Sequence, residues 1–131
     1  MQTTKKIWVN GVFDVLHRGH IELFKFAKAQ GGHLTVGIDA DERVKKNKGK
    51  SRPVNNQIDR KYFLEAIKYV DQVKIFNSDK ELSQMIKIYK PDCMVIGSDW
   101  MGKKVIGGQY AKELVYFSRV GDYSTSNILN K

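Results

Sequence analysis

Short apolar runs alternate along the chain with longer segments in which apolar residues recur at helical spacing. The short runs predict buried strands, and the periodic segments predict helices packed against them. The predicted strands cover residues 6–10, 34–38, 72–76, 93–96 and 114–117. The predicted helices cover residues 19–29, 57–69 and 79–89, and a short last helix is expected from a cap at Ser124 or Thr125 to Leu129. In the second helix, the spacing places Phe63, Leu64, Ile67 and Val70 on the inner face.

Strand and helix follow each other in alternation, which is typical of a parallel sheet covered by helices. We therefore predict a single α/β domain over residues 1–131. It should be a Rossmann-like, doubly wound parallel sheet of five strands with helices on both faces. In such sheets, ligands bind beyond the carboxyl ends of the strands, where the strand order reverses.

One basic segment breaks the pattern. Six of the ten residues from Arg43 to Arg52 are basic, and no apolar period runs through them, so we predict a loop that Pro53 ends. The formal net charge of the chain is +9. Anionic partners are therefore expected, and nucleic acid, a membrane surface and a phosphorylated metabolite all qualify. A solvated loop without a partner is the plainer interpretation of the same charges.

Composition narrows the class of protein. No apolar run approaches the ~20 residues that span a membrane, and residues 7–9 are too short a run for a signal peptide. The one cysteine, Cys93, cannot form an internal disulfide. It lies in an apolar run, so we expect a buried, inert thiol. These features predict a cytoplasmic protein without a membrane partner.

The most polar and unusual residues of the chain cluster directly after the predicted strands. They are Gly11, Val12, Phe13 and Asp14 after the first strand, Gly97, Asp99 and Trp100 after the fourth, and Arg119, Ser124, Thr125 and Ser126 after the fifth. This is where the active site of a doubly wound sheet is expected. Asp14 stands between two apolar residues, so its carboxylate needs a partner, and a site would supply one.

The sharpest feature is a pair of histidines, His17 and His20, at the start of the first predicted helix. Residues three apart share a helix face, and a helix N-terminus attracts phosphate through its free N–H groups and positive dipole end. Two imidazoles there can donate hydrogen bonds to phosphate, and Gly19 allows close approach to the backbone. Half of a zinc site is the alternative, but zinc would need further ligands that Cys93 and His33 are poorly placed to supply.

Two motifs at opposite ends of the chain resemble the signatures of the cytidylyltransferase-like nucleotidyltransferases. Gly11–Asp14 followed by His17–His20 is similar to the first signature, and Arg119–Ile128 is similar to the second. Spacing and element order agree, and the resemblance covers nearly the whole chain. It implies an enzyme in which an acceptor phosphate attacks the α-phosphorus of a nucleoside triphosphate in line and pyrophosphate leaves, without a covalent enzyme intermediate.

The resemblance also implies roles for single residues. His17 and His20 would contact the triphosphate and stabilise the transition state, and Lys48 would bridge the α-phosphate and the acceptor, with Lys46 as the alternative. The other implied contacts are Arg119, Ser124, Thr125 and Ser126 on the β- and γ-phosphates, Asp14 on the acceptor or a metal ion, Asp99 and Trp100 in the nucleotide or acceptor pocket, and Arg60 near the site. Mg²⁺ is expected with CTP or ATP because it offsets the triphosphate charge, and no direct protein ligand to it is predicted.

Several of these residues have a plainer interpretation. Ser124 and Thr125 can serve only as a helix cap. Arg60 can form only a surface salt bridge with Asp59 or Glu65, and Trp100 can belong to the core.

Two branches of the family fit different parts of the chain. Residues 10–14 and 48–55 resemble adenylyltransferases that activate heptose 1-phosphate, whereas residues 97–100, with Arg119 and residues 124–126, resemble glycerol-3-phosphate cytidylyltransferase. CTP and ATP both stay open as donors, with a sugar phosphate or polyol phosphate as acceptor. An FAD-synthetase-type adenylyltransferase, a non-catalytic nucleotide-binding module and a nucleic-acid-binding protein are the remaining alternatives. Family members are often homodimers, so the resemblance also allows a homodimer.

Overall fold

Five parallel strands form one sheet in the computed structural model, which describes residues 4–118. The strands are β1 (Lys5–Gly11), β2 (Gly32–Asp39), β3 (Gln72–Phe76), β4 (Cys93–Gly97) and β5 (Glu113–Phe117). Their order across the sheet is β3-β2-β1-β4-β5, so the direction of winding reverses between β1 and β4. The predicted five-stranded parallel sheet is confirmed. The predicted last helix, with Ser124 and Thr125, lies outside the described residues.

The helices cover both faces of this sheet, as a doubly wound fold requires. They are α1 (Arg18–Ala29), α2 (Asp41–Lys48), α3 (Gln57–Glu65) and α4 (Asp79–Tyr89), and two short 3-10 turns, Ser98–Trp100 and Gly108–Tyr110, lie between β4 and β5. Alternate residues of the strands point to opposite faces. Ile7 and Val9 therefore pack with α1 and α3 residues in one core cluster, whereas Trp8 packs with α4 residues in the other. Over the described residues, no helix is long and apolar enough to cross a membrane.

The basic segment is not a loop throughout, so that prediction was wrong for its first half. Residues Asp41–Lys48 form α2, which buries one side chain, Val44, against the domain. A single buried residue produces no apolar period in the sequence. The helix is supported instead by acidic residues in its first turn and lysines in its last turn, which complement the helix dipole. Gly49 ends it with a φ of 100°, a backbone conformation that suits glycine.

The second predicted helix is shorter than its pattern indicated. α3 ends at Glu65, and residues 66–70 continue as tight turns in which Ile67 N–H bonds to the Leu64 carbonyl and Val70 N–H to the Ile67 carbonyl, each at 3.0 Å. Leu64 is fully buried as predicted, but Phe63 is 45% exposed, so its inward placement was wrong. The tighter turns after Glu65 rotate the following residues relative to a regular helix, which brings Val70 into the core.

The reversal of strand order opens a crevice in the sheet. β1 pairs with β2 along its whole length, from Lys5 with Gly32 to Gly11 with Ile38. With β4, in contrast, β1 pairs at Ile7 and Trp8 within the described strands. The carboxyl ends of β1 and β4 therefore separate beyond Trp8, at the topological switch point where this fold class binds ligands.

Candidate active site

A cavity of about 520 Å³ occupies the crevice between β1 and β4. Its strand residues follow the point where the two strands separate: Val9, Asn10 and Gly11 from β1, and Met94, Val95, Ile96 and Gly97 from β4. Phe76, Leu82, Val105 and Ile106 provide further apolar wall, and Asp39, Arg43, Asn47, Lys48 and Lys104 provide polar and charged groups. An apolar cavity with a few polar groups at this position is the usual form of a small-molecule site.

The cavity gathers many, but not all, of the residues that the sequence singled out. Gly11, Val12, Phe13, Lys48, Gly97 and Trp100 line it. Lys46 lines a separate polar groove between α2 and the start of α4. Lys48 is therefore the better placed of the two candidate lysines. Trp100 is 50% exposed at the cavity, so the alternative that it belongs to the core is wrong.

Five predicted site residues are wholly or partly outside what the structure describes. Arg119, Ser124, Thr125 and Ser126 lie beyond residue 118, and their assignments stay predictions. Asp99 lies in the 3-10 turn Ser98–Trp100, directly after the cavity residue Gly97. The structure describes the backbone of Asp99, and the role assigned to its side chain stays a prediction.

The two histidines begin α1 and hold each other in place. His17 is the N-cap residue, and its Nδ1 accepts a hydrogen bond from the Gly19 N–H at 3.0 Å. His20 reciprocates, because its Nδ1 accepts from the His17 N–H at 3.2 Å. The two rings stack with centroids 3.8 Å apart. This reciprocal arrangement is a capping box in which imidazoles replace the usual hydroxyl and carboxylate groups.

These hydrogen bonds assign the tautomer of both rings. A neutral imidazole whose Nδ1 accepts a hydrogen bond carries its proton on Nε2. Burial, together with the neighbouring His17, lowers the pKa of His20 from 6.5 to about 4, so this ring is neutral at pH 7. The helix therefore begins with a stacked pair of imidazoles whose protons lie on Nε2, and His20 carries no charge at pH 7.

Phe13 connects the histidines to the cavity. Its ring makes edge contacts with His20, at a centroid distance of 5.4 Å, and with Phe24 of α1, at 5.0 Å. The Phe13 backbone is left-handed, with φ of 50°, which is uncommon for a bulky residue and found most often at functional sites. Gly11 makes room for this ring, because a Cβ there would lie 3.0 Å from Phe13 Cζ. His20 thus packs against Phe13, and neither His17 nor His20 is among the residues lining the cavity.

The start of α1 also differs electrostatically from the starts of the other described α-helices. Each of α2, α3 and α4 has at least one acidic residue in its first turn, whereas α1 has none. An acidic side chain there would compete with an anionic ligand for the positive end of the dipole. The start of α1 therefore leaves this positive end open to an anion such as phosphate.

Asp14 has its partner within the chain. It is 2% exposed, and its two carboxylate oxygens accept the backbone N–H groups of Val54 and Asn55, both at 2.7 Å. The Asn55 side chain returns a bond of 2.7 Å to the Asp14 carbonyl. The sequence was right that this acid needs a partner. The partner is the segment between α2 and α3. Asp14 fixes this segment beside the loop that joins β1 to α1 and ends at His17, here called the histidine loop.

Arg60 is not on the surface, so the alternative of a surface salt bridge with Asp59 or Glu65 is wrong. The residue is 1% exposed, and its guanidinium donates to the carbonyls of Val12, Asp39 and Asn55 at 2.7–3.0 Å. It also pairs with the Asp41 carboxylate at 2.7 Å. In this structure the guanidinium donors that would bind a phosphate are thus directed to protein groups.

Sequence reasoning missed two charged residues of the cavity, Asp39 and Arg43. Arg43 pairs with Asp39 at 2.7 Å and with Asp79 at 2.6 Å, and its guanidinium lies over the Phe76 ring. Asp39 ends β2, so the rule that functional residues follow strand ends could have found it. Arg43 lies in the first turn of α2, so its pairing with Asp39 depends on how α2 follows β2.

Cys93 is buried as predicted, with 1% of its surface exposed. Burial raises the pKa of the thiol to about 11, which keeps it in the unreactive protonated form. Among residues 4–118, no group of three or more His, Cys, Asp and Glu side chains is arranged to hold a metal ion.

A parallel sheet with a cavity at its switch point, and a helix N-terminus suited to phosphate, define a nucleotide-binding α/β protein. The chain belongs to the cytidylyltransferase-like family of nucleotidyltransferases, whose model it matches over residues 8–127. The family resemblance drawn from the two motifs is thereby confirmed.

Relatives and solved structures agree with this membership. The chain is 46% identical over 125 residues to the bifunctional protein HldE of Campylobacter fetus subsp. fetus (strain 82-40), which covers 95% of this chain and 27% of the relative. It is 40% identical over 127 residues to the bifunctional protein HldE of Helicobacter pylori (strain P12), covering 97% of this chain and 27% of the relative. The chain thus spans about a quarter of the length of these curated relatives.

Two solved structures show the same fold. The lipopolysaccharide core biosynthesis protein from Thermoplasma volcanium GSS1 has a TM-score of 0.71 and 24% identity, covering 90% of this chain and 99% of that chain. Pantothenate synthetase from Thermus thermophilus has a TM-score of 0.66 and 12% identity, covering 95% of this chain and 61% of that chain. At these identities, the likeness concerns the fold alone.

Proposed function

We propose that this chain transfers AMP from ATP to a heptose 1-phosphate. A phosphate oxygen of the sugar attacks the α-phosphorus of ATP. The bond from that phosphorus to the bridging oxygen of pyrophosphate breaks, and ADP-heptose and pyrophosphate are the products. The observation that carries the sugar acceptor is the resemblance of residues 10–14 and 48–55 to adenylyltransferases that activate heptose 1-phosphate. The 46% identity, over 95% of this chain, to the bifunctional protein HldE supports a nucleotidyltransferase.

The histidine pair supports the chemistry of this proposal. In an in-line displacement the protein has to position two phosphates and offset the charge that develops at the α-phosphoryl group. We assign this role to the Nε2–H groups of His17 and His20, which lie at the positive end of the α1 dipole. Because His20 is neutral, it stabilises the transition state through hydrogen bonding rather than through a full charge.

Lys48 supplies the mobile cation in this proposal. It is exposed at the carboxyl end of α2 and lines the cavity. We assign it the bridge between the α-phosphate and the sugar phosphate, which would bring the two anions together. Arg119, Ser124, Thr125 and Ser126 keep their proposed role on the β- and γ-phosphates.

Mg²⁺ fits this site as a companion of the triphosphate. The ion binds proteins through one or two carboxylates plus substrate phosphates and keeps several waters. Asp14, the acid after β1, already accepts two backbone N–H groups, so it does not fit as a ligand. We propose that Mg²⁺ is held by ATP, where it offsets the phosphate charge.

Transfer of CMP from CTP to glycerol 3-phosphate is the second candidate. The observation that favours it is Gly97–Trp100, which resembles that branch of the family and follows β4 at the cavity.

We further propose that the chain acts in the cytoplasm. Its oligomeric state, including the homodimer that the family resemblance allows, can be measured by sedimentation.

A grid of pyrophosphate-release assays tests the proposal. ATP and CTP are each combined with heptose 1-phosphate, glycerol 3-phosphate and flavin mononucleotide in the presence of Mg²⁺. A signal with ATP and heptose 1-phosphate supports the proposal, whereas a signal with CTP and glycerol 3-phosphate supports the second candidate. A folded protein that binds nucleotide but is silent across the grid would point to a non-catalytic module. Silence without nucleotide binding would overturn the assignment of the site.

A further inference from the structure

Arg60 is a buried charge whose contacts converge on the backbone around the active site. Its side chain is 0% exposed, and four of its N–H···O contacts are between 2.7 and 3.0 Å. A buried guanidinium loses its hydration and is tolerated only when its donors are satisfied. An apolar side chain could fill the same core position without that requirement. The presence of arginine here therefore indicates a role beyond filling the core.

Each contact of Arg60 belongs to a different segment near the site. Nη1 donates to the carbonyl of Val12, in the loop between β1 and the histidine helix, and to that of Asp39, at the end of β2. Nη2 binds the carboxylate of Asp41, in the first turn of α2. Nε donates to the carbonyl of Asn55, in the segment that follows α2. One side chain thus joins the histidine loop to both ends of the α2 region.

The Asp14 contacts complete this connection. The backbone N–H groups of Val54 and Asn55 bind the Asp14 carboxylate, while the carbonyl of Asn55 accepts from Arg60. The segment after α2 is therefore held from two sides. Gln57 adds a further bond, since its side-chain oxygen accepts the Asp41 N–H at 2.8 Å.

We propose that Arg60 is a positioning residue that sets the place of Lys48 relative to His17 and His20. α2 has eight residues, so Asp41 and Lys48 lie about 10 Å apart on one rigid element. A shift of its first turn is transmitted to the lysine at its other end. Arg60 acts through this helix and through the Val12 loop without touching the reacting atoms. The inference rests on the proposed nucleotidyl transfer.

The test compares Arg60→Lys with a control variant on the same helix, Leu64→Ala. Lysine keeps the positive charge but cannot reach four segments in a fixed fork. We expect the kcat of R60K for pyrophosphate release to fall by about 10-fold or more, because a small misplacement of catalytic groups is costly. The dissociation constant for ATP, measured by calorimetry, should change less than about threefold.

Leu64, the control position, is fully buried one turn later in the same helix. We expect L64A to lower the melting temperature. Assayed below that temperature, its kcat should stay within about twofold of the wild type.

A second variant, Asp41→Asn, decides the matter if R60K does not fold. Asp41 is partly exposed, and its change removes the charge that ties Arg60 to α2 while leaving the core intact. We expect kcat to fall several-fold, with ATP affinity unchanged. The inference is overturned if D41N has a normal kcat, or if the kcat of R60K is no lower than that of L64A. In either case the activity of the wild type still supports the proposed function. A wild-type protein that releases no pyrophosphate overturns both.

Discussion

The start of α1 and the end of α2 both carry groups to which we assign phosphate binding, but they are built differently. At α1, two partly buried imidazoles are fixed by hydrogen bonds to backbone N–H groups and by stacking on each other. At α2, exposed lysines extend from a helix that buries one side chain, Val44. The first region has rings held in fixed orientations, and the second presents exposed positive charge. A nucleotidyl transfer needs both, since the α-phosphate must be held while the acceptor phosphate arrives.

The largest expected effect comes from removing the fixed donors. In His17→Asn and His20→Asn, the amide oxygen can replace Nδ1 as the acceptor in the capping box, but the Nε2–H donor is lost. We expect kcat to fall by about 10²–10³-fold, the usual cost of a transition-state donor. The free energy of unfolding of His17→Asn should change by less than about 1 kcal/mol, because His17 is the N-cap residue and asparagine is a good N-cap. Glutamine variants, which can place an N–H near the Nε2 position, serve as controls. Near-normal rates in both asparagine variants would show that α1 does not hold the reacting phosphate.

The next effect separates the two lysines of α2. Lys48→Ala should lower kcat by about 10²-fold, because the side chain lines the cavity and neutralises charge there. Lys46→Ala is the matched control from the same helix turn, and it should stay within about threefold because Lys46 lines the neighbouring groove. Pyrophosphate release at saturating substrates gives both values. The reverse order of the two variants would move the bridging role to Lys46.

The third effect is a change in the free energy of unfolding with pH, and it comes from His20. The pKa of His20 is about 4 in the folded state against 6.5 ordinarily, so the unfolded chain binds more protons below pH 6.5. Stability should therefore fall as pH decreases from about 6.5 to 4, with no contribution from His20 above that window. At pH 4.5 the loss is about 2 kcal/mol. Urea unfolding of the wild type and His20→Asn at pH 7 and 4.5 measures it, since the titrations of groups distant from His20 cancel in the comparison. An equal pH dependence of the two proteins would contradict the assigned burial of His20.

The smallest effect probes how loosely α2 is attached. Val44→Ala removes its one buried side chain and should lower the free energy of unfolding by about 1–2 kcal/mol, a modest value because the exposed helix can partly collapse onto the sheet. Lys45→Ala, the exposed neighbour, is the control and should be nearly neutral. Chemical denaturation measures both. A loss above about 4 kcal/mol would show that α2 is as firmly packed as α1 and would remove the contrast between the two regions.

The features that the sequence predicted well are those fixed by local spacing. The strands follow from their short apolar runs, and His17 and His20 were recognised because residues three apart meet on one turn of helix. The start of α2 was missed because one inward residue, Val44, makes no period.

Arg60 was misplaced for a different reason. Its partners, Val12, Asp39, Asp41 and Asn55, come from three stretches of the chain, and those around Val12 and Asp39 meet Arg60 only in the assembled fold. Asp39 and Arg43 were missed likewise, because the cavity wall they form exists only once α2 is placed beside the ends of β2 and β3.

The two tryptophans of the chain lie in opposite surroundings, and this gives the protein a built-in optical readout. Trp8 is fully buried within the sheet, with its indole N–H bonded to the Asn10 side chain. Trp100 is half exposed at the cavity, with the Lys103 ammonium 5.7 Å from its ring centre. Emission from Trp8 therefore reports the integrity of the core, and emission from Trp100 reports occupancy of the cavity. With Trp8→Phe and Trp100→Phe variants, binding and unfolding can be followed separately in the same cuvette without an added label.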